Sequence, residues 1–123
     1  TMKKAITLLL VTASMLLYGQ PKQLTGQTIA ESINTGVVVV EFGAEFATPF
    51  ADWAKVADCR YYRLDIGKYP DVKKEYRVRS IPTIMLFNNG VKEETWKANI
   101  MLELEVTADE IQEAIQGILL DKF

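Results

Sequence analysis

The chain lacks histidine and contains a single cysteine, Cys59, among its 123 residues. Without histidine it can form neither a Ser-His or Cys-His nucleophile pair nor a metal site with imidazole ligands. With one cysteine it can form no intrachain disulfide and no redox cycle that needs two thiols of its own. An excess of basic charge is also missing, because the formal net charge is −2. We therefore expect no nucleic-acid partner.

The acidic residues do not form a metal-binding pattern. Glu93-Glu94 and the pair Glu103 and Glu105 lack the Gly and Asp spacing of a calcium loop, so we assign them to solvated strand faces. We expect no metal and no cofactor. The composition, with 49% apolar and 24% charged residues, is otherwise that of an ordinary globular protein.

The first nineteen residues have the pattern of an export signal. Lys3 and Lys4 precede the uncharged, leucine-rich run from Ala5 to Tyr18, and Gly19 is a small residue at its end. The run is shorter than the roughly 18 apolar residues that a membrane span needs. We therefore predict a signal peptide at residues 1–19 and a single periplasmic or secreted domain at residues 20–123, with no membrane span after signal removal. An N-terminal helix or an uncleaved anchor is the alternative.

Local patterns in the remaining chain mark the ends of its elements. Thr28 and Glu31 have the spacing of a capping box, and Val106 to Ile111 contains a second one with a hydrophobic staple. Asn88-Asn89-Gly90 is a strong hairpin signal. With the apolar periodicity, these signals predict the following order: a helix from Thr28, a strand at Val37–Val40, a helix at Phe46–Ala57, a strand at Arg60–Ile66, a helix from Pro70 to Tyr76, a strand at Pro82–Phe87, a partner strand at Val91–Ile100, and a helix from Thr107.

The last strand is expected to extend to Val106. The reason is an alternation of two sets of side chains, in which Ile100, Leu102, Leu104 and Val106 would face one side and Met101, Glu103 and Glu105 the other. An extended edge strand with one apolar face can be covered by a second copy of the chain, which makes a homodimer through this edge one hypothesis.

Two stretches resemble the thioredoxin family in order and spacing. These are "VVVVEFGAEF" from Val37 and "YYRLDIGKYPDVKKEYRVRSIPTIMLFNNG" from Tyr61, and the resemblance extends from about Val37 to Leu120. It implies an α/β fold with three layers, α/β/α, in which a mixed central sheet has a parallel part and a C-terminal antiparallel hairpin.

The resemblance also implies the place of a former active-site turn. Ala47 and Phe50 stand where the family has its attacking and resolving cysteines, and Thr48-Pro49 stands between them. A methyl group and a phenyl ring cannot attack sulfur, so ordinary thioredoxin catalysis is excluded and no catalytic residue is assigned. The one thiol, Cys59, is expected about three helical turns from Ala47 on the far side of the sheet, as a buried or half-buried structural residue.

Three further positions match the family pattern. Glu41 takes the place of the family's buried acid and Arg63 that of a basic residue beside it, and we interpret them as a structural ion pair; the alternative is a relic of proton transfer. Pro82 matches a proline that is cis in the family. Its loop is expected to adjoin the turn and to form a shallow peptide-binding groove from these residues: Phe46, Phe50, Ile81 and Pro82. The alternative is that Phe50 fills this groove and the surface binds nothing.

The sequence therefore favours an exported, redox-inactive thioredoxin-like domain that binds a protein or peptide through the former active-site groove. The alternative is a protein related to thiol-disulfide oxidoreductases that acts through Cys59 or through a cysteine of a partner. A third and weaker hypothesis is an accessory domain of an envelope complex that makes contact through the acidic hairpin from Val91 to Glu105.

Overall fold

The structure, a computed structural model, describes residues 20–121. The predicted signal peptide at residues 1–19 lies outside the described residues. No helix within residues 20–121 has both the length and the apolar character that crossing a bilayer requires.

Nine short elements follow one another along the described chain. In order they are β1 (Lys22–Gln23), α1 (Ile29–Ile33), β2 (Val37–Gly43), a 3₁₀ helix (Ala51–Lys55), β3 (Arg60–Asp65), α2 (Pro70–Glu75), β4 (Thr83–Asn88), β5 (Val91–Lys97) and α3 (Ala108–Leu120).

The strands form one mixed sheet in the order β1-β3-β2-β4-β5. β1, β3 and β2 are parallel, whereas β4 is antiparallel to both β2 and β5. Every residue of β2 is buried, as its run of β-branched residues indicates for a strand covered on both faces. The mixed sheet with a parallel part and a C-terminal hairpin confirms the predicted fold class.

Two apolar clusters cover the two faces of the sheet. One contains side chains of α1 and α2, including Ile29, Ile33 and Val72. The other contains Phe50 together with Ile111 and Ile115 of α3. Helical segments thus lie on both sides of the sheet, which gives the three layers.

The predicted helix at Phe46–Ala57 is wrong. Residues 44–50 are irregular and only the 3₁₀ helix, with non-helical dihedral angles at Asp52, follows them. The cause is visible at Phe50, whose backbone N–H donates to the side chain of Glu41 instead of to a carbonyl one turn earlier. Pro49 also disfavours the helical conformation for Thr48, the residue before it.

The predicted extension of the last strand is also wrong. β5 ends at Lys97, and residues 98–107 contain no strand. Asn99 turns the chain at this point through hydrogen bonds of its own side chain, so the alternation from Ile100 to Val106 has no partner strand to face. The extended edge on which the homodimer hypothesis rested is therefore absent.

The two capping predictions have different outcomes. Thr107 accepts a hydrogen bond from the backbone N–H of Glu110 at 3.2 Å, which confirms the start of α3. Thr28 makes no such cap, because its hydroxyl pairs with the backbone and side chain of Thr25 instead.

Candidate functional site

The turn after β2 occupies the edge of the sheet at which the parallel strands β2 and β3 end. Within it, the backbone N–H of Ala47 donates to the carbonyl of Ala44 at 3.0 Å. Ala47 is half-buried, while Thr48 and Pro49 are exposed. The turn contains no thiol, so nothing in it can attack a disulfide.

Phe50 closes the turn toward the interior. Its side chain is only 9% exposed and belongs to the same buried cluster as Ile84 and Ile111. A core ring therefore occupies the position where the resemblance places a resolving thiol. Phe50 therefore belongs mainly to the core, and only its small exposed part lines a surface depression.

Glu41 is the most deeply buried charged residue of the described chain, at 1% exposure. It lies on β2 directly beside Arg63 of β3. One carboxylate oxygen accepts from the Tyr61 hydroxyl at 2.7 Å and from Arg63 Nη2 at 3.2 Å. The other accepts from Arg63 Nε at 3.2 Å and from the backbone N–H of Phe50 at 3.0 Å. A carboxylate has about four acceptor positions, and all four are occupied here.

This saturation decides what Glu41 can do. A buried carboxylate with a bidentate arginine and two further donors has its acceptor positions satisfied within the fold. Burial, followed by the adjacent carboxylate of Glu41, raises the pKa of Tyr61 well above its ordinary value, so its hydroxyl remains a donor. The Glu41, Tyr61 and Arg63 side chains, together with the Phe50 N–H, form a structural cluster with no acceptor left for a reacting proton. We call it the Glu41 cluster.

The peptide bond between Ile81 and Pro82 is cis. Pro82 is buried, and its carbonyl accepts from the backbone N–H of Ala98 at 3.0 Å. Ile81 is half-buried and shares a shallow depression of about 320 Å³ with Phe46, which is 72% exposed. The structure thus brings Phe46 and Ile81 together, with Pro82 beneath them and Phe50 in the core.

A loop that sequence reasoning placed in a strand forms the other wall of this depression. In this loop, residues 98–105, the side-chain oxygen of Asn99 accepts from the backbone N–H groups of Met101 at 2.8 Å and Glu103 at 3.1 Å. Its amide nitrogen donates to Glu105 at 3.2 Å, and its backbone N–H donates to the carbonyl of Glu103 at 2.9 Å. We call residues 98–105 the Asn99 loop.

The Asn99 loop displays apolar side chains to solvent. Ile100, Met101 and Leu102 are 99%, 71% and 46% exposed. Leu102 has φ +62°, a left-handed conformation that is uncommon for residues other than glycine. The sequence signal that identifies this loop is Asn99 itself, since asparagine side chains favour turns by bonding to nearby backbone groups.

A second depression adjoins the first and has a volume of about 490 Å³. The two share Leu102 as a common lining residue. The second is lined on one side by the turn and the start of the 3₁₀ helix, including Phe50 and Asp52, and on the other by Glu103 and Leu104. We call the first the Phe46 depression and the second the Asp52 depression.

Cys59 lies just before β3, at the edge of the sheet opposite the turn. It packs against the same apolar cluster as Phe50. The two residues therefore lie on the same face of the sheet but at opposite edges of it. Burial, with a smaller contribution from Asp58, raises the pKa of the Cys59 thiol to about 11. A thiol that stays protonated at neutral pH is a poor nucleophile.

Among residues 20–121, no three His, Cys, Asp or Glu side chains come together in an arrangement that could hold a metal ion.

The mixed sheet, the cis Ile81–Pro82 bond and the position of the turn define a thioredoxin-like α/β domain. A mutant thioredoxin from Halobacterium salinarum is similar, with a TM-score of 0.64 at 22% identity over 80% of this chain and 90% of that one. A thioredoxin from Plasmodium falciparum gives 0.62 at 18% identity, over 78% and 97% of the two chains. At these identities the likeness shows the fold alone.

The sequence comparisons show the family. The thioredoxin family model matches residues 20–114. Thioredoxin-2 of Pyricularia oryzae is 35% identical over 63 residues, which make up 45% of this chain and 37% of the relative. A thioredoxin from Rickettsia felis is 34% identical over 67 residues, 47% of this chain and 64% of the relative. The matched region thus spans less than two thirds of the length of each relative. The chain belongs to the thioredoxin family, as a member that has neither active-site cysteine.

Proposed function

We propose that this chain is an exported, redox-inactive thioredoxin-like domain that binds a protein or peptide segment through the surface beside the former active-site turn. This surface consists of Phe46, Ile81, Ile100 and Leu102, which line one depression, and of Met101, which lies between the last two in the chain. We call it the apolar patch. The groove expected from the sequence contained Phe50 and Pro82. The apolar patch contains residues of the Asn99 loop in their place.

The observation that carries the proposal is where the exposed apolar side chains lie. Six large apolar residues are exposed among residues 20–121, and four of them belong to the patch: Phe46, Ile100, Met101 and Leu102. Isolated exposed apolar residues are ordinary, whereas a contiguous group marks an interaction surface.

The rigidity of the patch supports the same function. The backbone of the Asn99 loop is held by the side chain of Asn99, and the turn that carries Phe46 is closed by the hydrogen bond from the Ala47 N–H to the Ala44 carbonyl. A surface that is ordered before binding loses less conformational entropy when a partner arrives.

Selection from a random dodecapeptide display library on the immobilised chain tests the proposal. We expect recovered peptides to bind the unaltered chain and to lose at least tenfold in affinity with Phe46→Ser and with Ile100→Ser. Leu120→Ser is the matched control, because Leu120 is an equally exposed apolar residue at the end of α3. Peptides that bind all three variants equally well, or a selection that yields none, would contradict the proposal.

The proposed lack of redox activity is supported by the absence of a thiol in the turn and by the raised pKa of Cys59. A disulfide-reduction assay with dithiothreitol as the electron source should show no turnover above the uncatalysed rate. If turnover is seen and disappears in Cys59→Ala, the alternative function through the lone thiol is correct instead.

The export part of the proposal rests on the sequence alone, on Lys3, Lys4 and the apolar run after them. Expression in a bacterial host followed by fractionation and N-terminal sequencing tests it. A mature protein that begins near residue 20 in the periplasmic fraction supports export, and an unprocessed protein in the cytosol contradicts it.

A further inference from the structure

We infer that the bound segment is apolar and carries a lysine or arginine, which Asp52 and Glu103 receive at one end of the apolar patch. The inference rests on the proposed function and names the chemistry of its partner.

The first step is the continuity of the binding surface. The Phe46 depression and the Asp52 depression are neighbours on either side of Leu102, which lines both. A segment that covers Phe46 and Ile100 and passes over Leu102 can therefore reach the Asp52 depression. The apolar part of such a segment can also contact Leu104 and Val106, which line that depression.

The second step is the charge at the two ends. Arg79 is the charged residue that lines the Phe46 depression. The Asp52 depression has two carboxylates, Asp52 and Glu103, and no basic side chain among its lining residues. The surface is therefore basic at one end and acidic at the other, and a segment that lies along it is selected by its charge as well as by its apolar side chains.

The third step is whether these carboxylates are already occupied. Asp52 contacts Lys55 at 3.3 Å, but both side chains are largely exposed, and such pairs are weak and easily exchanged. Glu103 makes no side-chain hydrogen bond or ion pair with any residue from 20 to 121, whereas Glu105 accepts from Asn99. Glu103 is therefore the acid that is available to a partner.

A fourth observation is the backbone of Leu102. Two hydrogen bonds hold Leu102 in its left-handed conformation. Its own N–H donates to the Asn99 carbonyl at 3.0 Å, and the neighbouring Glu103 N–H donates to the Asn99 side chain. A conformation of this kind is kept where the surrounding bonds determine it, and such sites are common at binding surfaces. Here it places an apolar residue and a free acid side by side at the junction of the two depressions.

The peptides recovered by the display selection test the inference through their sequences. We expect a consensus with two or more apolar residues and one lysine or arginine. Replacing that basic residue by glutamine in a synthetic copy of the peptide should weaken binding to the unaltered chain about two- to fivefold, as the loss of an exposed or partly exposed ion pair does.

Charge reversal on the protein is the reciprocal test. The double variant Asp52→Lys with Glu103→Lys should bind the basic peptide at least tenfold more weakly and should bind a copy with glutamate at the basic position more tightly than the unaltered chain does. Glu113→Lys, an exposed acid on α3, is the matched control and should change neither affinity. Circular dichroism of each variant verifies that it is folded. The preference for the basic peptide should also decrease as salt is raised.

The outcomes separate the inference from the proposed function. Peptides that require Phe46 and Ile100 but show no basic residue, or that are insensitive to charge reversal, would overturn the inference and leave the proposed function standing. Absence of any peptide that depends on Phe46 would overturn both. If light scattering shows a mass that doubles with concentration and Ile100→Ser abolishes the doubling, the occupant is a second copy of this chain and the inference is wrong.

Discussion

The Glu41 cluster and the apolar patch begin from the same turn but have opposite environments. Phe50 and Phe46 are four positions apart in the chain. Phe50 donates its N–H to a buried carboxylate and inserts its ring into the core, whereas Phe46 extends its ring into solvent. In the interior every acceptor position of Glu41 is occupied, and at the surface the Ile100 side chain is 99% exposed. The comparison shows that a fully hydrogen-bonded buried cluster and an exposed apolar surface lie side by side around one turn.

The largest effect is expected from breaking the Glu41 cluster. Glu41→Gln keeps the shape of the side chain but removes its charge, so the partly buried Arg63 loses its counterion. Removing one partner of a buried ion pair costs about 3–5 kcal/mol, and we expect the free energy of unfolding in urea to fall by that amount.

Glu113→Gln serves as the control for this variant. It makes the same change at an exposed position of α3 and should alter stability by less than about 0.5 kcal/mol. Equal stabilities of the two variants would show that the buried pair contributes nothing to the fold.

The two phenylalanines provide the most direct form of the comparison. Phe50→Ala leaves a cavity in the core and should destabilise the fold by about 3 kcal/mol or more. Phe46→Ala removes an exposed ring and should change the free energy of unfolding by less than about 0.5 kcal/mol, although it weakens peptide binding. Urea unfolding of both variants checks this order, and a larger loss for Phe46→Ala would contradict the assigned environments.

A smaller effect is expected from Asn99→Ala, which removes three side-chain hydrogen bonds of the Asn99 loop. Because the loop is exposed, we expect a loss of about 1 kcal/mol confined to it. Hydrogen exchange at the amides of Met101 and Glu103 should accelerate up to about tenfold. The amides of β4 in the same molecule are the internal control, and their acceleration to the same extent would mean that the loop is part of the core.

The last effect, from Cys59, is confined to alkaline pH and is absent near neutrality. Its pKa is raised to about 11 by burial, so the native state holds the thiol proton more tightly than the unfolded chain. The resulting contribution to stability is present below the unfolded pKa near 9 and is lost as the pH rises through 11. Urea unfolding at pH 8 and pH 11 should show a smaller decline for Cys59→Ala than for the unaltered chain, and an identical decline would place the thiol in a solvated site.

Much of the fold follows from local patterns that act within a few residues. The Asn89-Gly90 turn, the apolar run from Val37 and the cap at Thr107 are satisfied by their immediate neighbours or by burial alone, and each forms as predicted. The predictions at Phe46–Ala57 and Ile100–Val106 were wrong. In both segments the apolar residues have the predicted period, but hydrogen bonds to a side chain favour an irregular backbone instead. Glu41 captures the N–H of Phe50, and Asn99 captures those of Met101 and Glu103.

The candidate site divides in the same way. The lack of a thiol and a base in the turn could be read directly from the residues, and so could the pairing of Glu41 with Arg63 once both were placed on adjacent strands. The membership of Phe50 in the core and of Ile100 and Leu102 in the surface could not, since both depend on how a loop folds against a distant turn.

The sequence by itself determined the class of fold and excluded redox chemistry within the turn, because periodicity and residue identity do not depend on distant contacts. Only the tertiary structure decided which aromatic ring is inside, which apolar residues face solvent and which carboxylate is free. Those outcomes depend on hydrogen bonds and packing between segments up to about fifty residues apart, such as Phe46 and Ile100, and such contacts exist only after the chain has folded.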